Sequence, residues 1–482
     1  MTPYIILAVI GLYFSALIVI SYFTSKNANN ESYFVGNRQS IWFLVAFGMI
    51  SDSLSGVTFI SVPGAVGKSQ FGYIQIILGY ILGYVAIAEV LLPLYYRLKL
   101  TSIYTFLGDA QYFGRFTQKT ASFFFIVSRL LGAGARLFLT ASVIQLFVFD
   151  ALGVPFALSV CIIIGLILFY TYKGGIKTLV WTDAFQSTFL LGAVVVSIFV
   201  ICNGLDKNIF TLLGEVKDSP YSQIFFWDWK AKSYFWKQFI GGAFICLTMT
   251  GLDQSMMQKN LSCKSLGEAK KNIYLTTLMI TFVNVFFVTL GALLYLYATQ
   301  KGIAIPEKTD RLFPMLALEH LGIFAGLVFI VGLTAATFSS ADSVLTTLTT
   351  SFYIDFLQAD QLSSEAAKSR LRHGIHIGFA VLLLGIILVF RATNQAAVID
   401  TVLRLANYTY GPILGLFIFG IFVKRKTTDA LVPFVCVAAP LLCFLLDSKA
   451  KTWFGGYAFG LELLLVNGFF TVVGLFVISK KV

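Results

Sequence analysis

The chain has 482 residues, 58% of them hydrophobic and only 12% charged, with a mean hydropathy of +0.84, which excludes an ordinary soluble domain and points to a polytopic membrane protein. Its formal net charge of +12 does not indicate a nucleic-acid partner, because the basic residues follow a membrane topology. No Walker, GxGxxG, HExxH or Ser-His-Asp pattern stands in a suitable context, which disfavours an enzyme.

Apolar runs long enough to cross a bilayer recur at 3–23, 42–66, 71–96, 120–148, 153–172, 180–203, 236–257, 273–298, 321–352, 374–390, 398–422, 428–446 and 459–479. This predicts an all-α protein with about thirteen transmembrane helices. The first run, preceded only by Met1-Thr2, is expected to be a membrane helix rather than a signal peptide. With the N-terminus outside, the inner side collects most of the Lys and Arg, including Lys26, Arg38, Lys173, Lys259, Lys424, Lys480 and Lys481. That bias predicts a cytoplasmic C-terminus. The six cysteines lie scattered in or beside spans without metal spacing and read as small apolar fillers.

The second span carries Ser51-Asp52-Ser53-Leu54-Ser55-Gly56-Val57-Thr58, followed by Pro63-Gly64. Hydroxyls, an Asp, glycines and a proline in so short a stretch make a poor continuous helix. A break at membrane depth frees carbonyls for a cation and N–H groups for an anion; a simple Pro-Gly kink is the alternative. The third span holds Gln75 near its outer start and Glu89 deeper, the latter expected to pair with a buried arginine.

In the fourth span Arg129 and Arg136 are i and i+7, hence on one face. An arginine in mid-membrane needs a carboxylate, carbonyls or an anionic ligand. Arg129 is expected to make a structural pair, and Arg136, which lies deeper, to bind an anion. Asp183 opens the sixth span and either answers the helix dipole or serves a cation. The seventh span is interrupted at Thr248-Met249-Thr250-Gly251-Leu252-Asp253-Gln254. Two interrupted spans five apart suggest a 5+5 inverted repeat with its site between the breaks.

In the ninth span Ala336, Ser339, Ser340, Ser343 and Thr347 are spaced i, i+3, i+4, i+7, i+11, forming one helical stripe. Asp342 flanks it, and the segment 334–347 has no Lys or Arg. Oxygen donors beside a carboxylate suit a hard cation. A helix–helix interface with hydroxyls bonded back to i−4 carbonyls explains the stripe as well, and both can hold. Arg404, in the eleventh span, reads equally as an interfacial snorkelling residue.

At Gly174-Gly175, Trp181-Thr182-Asp183-x-x-Gln186 and Ala336-x-x-Ser339-Ser340-x-x-Ser343 the chain resembles the sodium/solute symporter family over nearly its whole length. The resemblance implies a LeuT-like fold with spans 2 and 7 broken, core repeats at about 42–203 and 236–422, and peripheral helices at 3–23, 428–446 and 459–479. It implies a main Na+ site at Ser51, Leu54, Ala336, Ser339 and Ser340. A second Na+ site would use Asp183, Asp342 and Ser343, where Asp342 departs from the serine of sialic acid transporters in the family. Alignment with those transporters puts Ser53, Ser55, Thr58 and Arg136 on solute-contacting positions. Phe71 and Gln75 match the spacing, though not the register, of a further aromatic–Gln pair. The lysine and gate tyrosine of the family's sugar transporters fall on Ile280 and Met249, against a glucose-type pocket.

The expected function is therefore sodium-coupled import of a small organic solute, carboxylate-bearing, with sialic acid the leading candidate. The alternatives are a neutral sugar or amino acid as solute, proton coupling, or a membrane sensor on the same scaffold. The expected partners are sodium, one or two ions, the solute and the lipid bilayer, with no nucleic acid. The expected setting is a monomer in the cell (inner) membrane.

Overall fold

The computed structural model describes residues 3–26, 30–108, 113–171, 175–359, 364–393, 398–423 and 425–481. Lys173, Gly174 and Lys424 lie outside the described residues. Nine helical stretches among the described residues are long and apolar enough to cross a membrane, the longest Gly56–Arg97. Three shorter apolar helices, Trp42–Ser53, Phe156–Thr171 and Leu463–Val477, accompany them.

In chain order the main helices are α1 (Pro3–Thr24), α2 (Trp42–Ser53), α3 (Gly56–Ser69), α4 (Tyr73–Ala86), α5 (Arg115–Ile144), α6 (Phe156–Thr171), α7 (Gly175–Gly204) and α8 (Phe235–Cys246). There follow α9 (Gln254–Asn260), α10 (Leu266–Gln300), α11 (Ile323–Ser351), α12 (Glu365–Thr393), α13 (Val398–Phe422), α14 (Val432–Trp453) and α15 (Leu463–Val477). A two-stranded antiparallel ribbon, β1 (Arg425–Thr427) with β2 (Ser479–Lys481), pairs Arg425 with Lys481 and Lys426 with Lys480.

The two breaks have local causes. After Ser53 the chain leaves the helix at Leu54 (φ −99°, ψ 72°) and re-enters it past Ser55 (φ −66°, ψ 173°). Serine and aspartate compete with the helical bonds there, and the last carbonyls of α2 lose their intrahelical partners. Pro63 and Gly64 lie inside α3, so the break is at Leu54–Ser55 and not at the Pro-Gly pair. The second break, at Leu252–Asp253, is capped. Asp253 accepts hydrogen bonds from the backbone N–H groups of Ser255 and Met256 and so starts α9.

Packing partners repeat between the halves. The first broken helix, α2 and α3, packs on α10, and α8 of the second packs on α4. Likewise α7 packs on α11 as α13 packs on α5. At the α4–α8 contact glycines bring backbones together: a Cβ at Gly79 would collide with the Phe239 carbonyl, and one at Gly242 with that of Ile76. Small residues permit such close approach between apolar helices, where no hydrophobic drive toward lipid exists.

The centre is the C-terminal half of α11, in which every residue from Gly332 to Ser351 is buried. A helix buried all round lies inside a bundle.

Candidate functional site

Five hydroxyls of α11 behave alike, while Thr346 and Ser351, like Ser340, are buried without a hydrogen-bond partner among the described residues. The five, those of Thr334, Thr337, Thr347, Thr349 and Thr350, donate to carbonyls four residues back, which is the interface behaviour. Ser339, Ser340 and Ser343 do not. Ser339 Oγ lies 2.8 Å from Ser51 Oγ at the end of α2 and donates to Asp183 Oδ1 at 2.9 Å. Ser51 Oγ also reaches the Asp183 carbonyl at 3.1 Å. Ser340 Oγ is buried without a hydrogen-bond partner among the described residues. A buried orphan hydroxyl is costly unless something unseen completes it. The serine stripe thus meets the first helix break. Ser51, Leu54, Ala336, Ser339 and Ser340 are all buried, and with the freed α2 carbonyls they fit a hard cation taking oxygen ligands.

The residues expected for a second sodium ion meet a protein cation instead. Asp183, Asp342 and Ser343 are close together, but Lys259 of α9 reaches in among them. Its Nζ stands 2.5 Å from Asp183 Oδ2 and 2.7 Å from Ser343 Oγ, with Asp52 Oδ2 at 3.1 Å. Asp342 accepts a 2.7 Å hydrogen bond from the Tyr170 hydroxyl. The sequence expectation of Lys259 as an inner-surface cation is corrected: the residue is 1% exposed.

Between the breaks lies an open-mouthed cavity walled by residues of both broken helices. Ser53, Ser55, Thr58 and Arg136 all line it, with Asp52, Tyr73, Tyr80, Tyr84, Thr250 and Asn284. Ile245, Met249, Ile280, Ile399, Val402 and Leu403 supply apolar wall. Ser53 Oγ, Asn284 Oδ1 and Arg136 Nε are buried without hydrogen-bond partners among the described residues.

Phe71 and Gln75 are not among the cavity's lining residues. Gln75 is tied to the loop ahead of α8, donating to the Ser233 carbonyl at 3.1 Å and accepting from Phe226 N–H at 3.3 Å. The Phe71 N–H donates to the Gln223 carbonyl. Tyr73, Tyr80 and Tyr84, from the same helix as Gln75, face the space instead. Those tyrosines and Asn284 had no signal in the sequence beyond being polar groups in apolar runs.

The two arginines of α5 part company. Arg129 Nε meets Asp253 Oδ2 at 2.5 Å, and the Tyr410 hydroxyl donates to the same oxygen at 2.6 Å. Arg129 thereby pins the cap of the second break to α5, the structural pair expected for it. Arg129→Ala is expected to leave a buried carboxylate short of its countercharge, a cost of about 3 kcal/mol, the low end for a broken buried pair, since the other donors to Asp253 remain. The measurement is the melting temperature of the purified variant, which should fall well below the native value. An unchanged value would make the pair dispensable. Glu89, by contrast, pairs with no arginine among the described residues. It binds Lys270 Nζ at 2.6 Å and the Tyr274 hydroxyl at 2.7 Å at the exposed surface. Arg404 is exposed, as a snorkelling residue would be.

Residues 33–432 match the model of the sodium:solute symporter family. The chain is 24% identical over 477 residues to the sodium/sialic acid symporter NanT of Aliivibrio fischeri, covering 95% of this chain and 91% of that protein. It is 28% identical over 428 residues to the sodium-coupled monocarboxylate transporter 2 of Danio rerio, covering 85% and 67% respectively. Among solved structures, a substrate-bound, outward-open Na+-coupled sialic acid symporter is similar at a TM-score of 0.84 and 20% identity, with 99% of each chain covered. The fold is accordingly LeuT-like.

Proposed function

The chain belongs to the sodium:solute symporter family, and from that premise we propose that it imports a carboxylate-bearing solute together with sodium. The observation that carries this reading is Arg136. Its Nε is buried and unpartnered among the described residues, and the side chain lines the cavity between the helix breaks. A planar guanidinium with no ion pair among the described residues suits a carboxylate, which can accept its N–H groups in pairs. Ser53, Ser55 and Thr58 supply further polar contacts, and the tyrosines and aliphatic wall an apolar face for the rest of the solute. Ile280 and Met249 line the same space, which disfavours a glucose-type pocket. The names of the relatives agree in kind, since sialic acids and monocarboxylates both carry the carboxylate. The two share that anchor and differ in bulk, and sialic acid remains the leading candidate.

Sodium would be held by the carbonyls of Ser51, Leu54 and Ala336 and the hydroxyls of Ser339 and Ser340. Bound there, it joins the first broken helix to α11 and favours the state in which the solute cavity is formed. Coupling is reciprocal: sodium raises solute affinity by the factor by which solute raises sodium affinity.

The repeated packing partners support core repeats at 42–203 and 236–422, with α1, α14 and α15 peripheral. The basic ribbon of Arg425, Lys426, Lys480 and Lys481 supports an inner C-terminus and an outer N-terminus in a cell (inner) membrane. A monomer is the working unit of this reading.

The test is the thermal stability of the purified chain against sialic acid, short monocarboxylates and neutral sugars, each in sodium or in potassium. A shift is expected only with sodium and a carboxylate together beyond that of sodium alone. A shift with sodium and a neutral solute only would discard the anion pocket, and no effect of sodium would send the mechanism to proton coupling.

A further inference from the structure

We propose that Lys259 is the resident occupant of the second cation site, a cation tethered to the chain, so that a single sodium ion binds with each solute. The proposal rests on the reading of the chain as a sodium-coupled symporter. An ammonium carries three N–H donors, and Nζ has three oxygens around it, from α2 (Asp52), α7 (Asp183) and α11 (Ser343), at 3.1, 2.5 and 2.7 Å. With the lysine itself on α9, both broken helices and two helices beside them converge on one positive charge. A bound metal ion would join the same elements.

Two of the three residues expected to ligate a second sodium are thus already committed to Nζ, and the third, Asp342, is held by Tyr170. A sodium ion entering as well would stand within a few ångströms of the ammonium, where like charges repel most strongly in a medium that screens them little. Lys259 also compensates Asp52, the acidic residue in the cavity wall. That leaves Arg136 to face a solute carboxylate without an unpaired acid beside it.

The same lysine links the two sites. Asp183 gives Oδ2 to Lys259 and Oδ1 to the Ser339 hydroxyl, while Asp52 reaches from Lys259 to the solute cavity. The path from cavity wall to sodium set therefore runs Asp52, Lys259, Asp183, Ser339, through contacts that a mobile second ion would make and break but a tethered one keeps.

The experiment measures the number of sodium ions bound per chain by calorimetry with sodium chloride in the absence of solute, on the purified protein. One ion is expected for the native chain and for Lys259→Arg, and two for Lys259→Ala, the second displaced by methylammonium. Two ions on the native chain would overturn the proposal whether or not any variant folds. A folded Lys259→Ala that still binds one ion would overturn it too, since removing the lysine would then open no site. No sodium binding to the native chain would overturn the symporter reading itself and this proposal with it.

Discussion

Ser340→Ala is expected to abolish most sodium-dependent uptake while leaving the sodium-free protein as stable as the native chain. The two halves of that result have one cause. Ser340 Oγ has no partner among the described residues, so the substitution breaks no protein–protein hydrogen bond and removes a buried polar group that is unsatisfied without the ion. Replacing an unpaired buried hydroxyl by a methyl group is close to neutral or mildly stabilising. With sodium present the same hydroxyl is a ligand, and losing an interaction with a full charge costs about 1.5–3 kcal/mol, or roughly ten- to a hundredfold in sodium affinity. The melting temperature should then be native in potassium and should fail to rise on adding sodium at concentrations that stabilise the native chain. Uptake should recover in part at high sodium. Ser339→Ala would be a poorer probe, because its hydroxyl also bonds Asp183 and Ser51, and loss of stability would mix with loss of the ion. Native sodium dependence in Ser340→Ala would remove Ser340 from the sodium set.

How much of this was legible in the sequence depends on whether a group's partner was near it in the chain. The serine stripe follows from helical periodicity alone, because spacing of three and four residues fixes a face whatever the helix later packs against. Both interruptions follow from their own residues. The position of the first did not: Pro63 and Gly64 look like the stronger breakers, yet a helix already broken at Leu54–Ser55 takes Pro63 in its second half. Lys259 was misread because hydropathy assigns a lysine near the end of an apolar run to the surface. Nothing in the sequence says that a seven-residue helix after a break carries it to carboxylates 76 and 207 residues away. Gln75 shows the same limit in reverse, since its partners belong to a loop more than 150 residues on. Glu89 was assigned an arginine by charge alone, whereas the helix facing it offers Lys270 and Tyr274. Arg129 and Arg136 share a face, and only the tertiary pairing with Asp253 tells which one is left for a ligand.

Arg136→Ala should therefore cost solute binding and nothing else. The guanidinium Nε has no partner among the described residues, so the variant is expected to fold and to keep the full stabilisation by sodium alone. Against a carboxylate solute the loss is that of one partner of a desolvated, hydrogen-bonded charge pair, about 2–5 kcal/mol, which is roughly thirtyfold to a few thousandfold in affinity. Arg136→Lys should fall between, because an ammonium keeps the charge but not the fork that meets both carboxylate oxygens. An uncharged amide analogue of the solute, which never engaged the charge, should bind native and variant chains with far smaller difference. Isothermal titration of solute in sodium measures all four combinations. Equal affinity of the native chain and Arg136→Ala for the carboxylate would take Arg136 out of the pocket. The two serine and arginine variants also check each other. Ser340→Ala loses the sodium shift and, through linkage, weakens solute at fixed sodium. Arg136→Ala keeps the sodium shift and loses only what the solute adds. A chain in which both substitutions produced the same general loss of stability would be reporting damage to the bundle, whereas the crossed pattern can arise only if the ion and the solute occupy separate, coupled places in it.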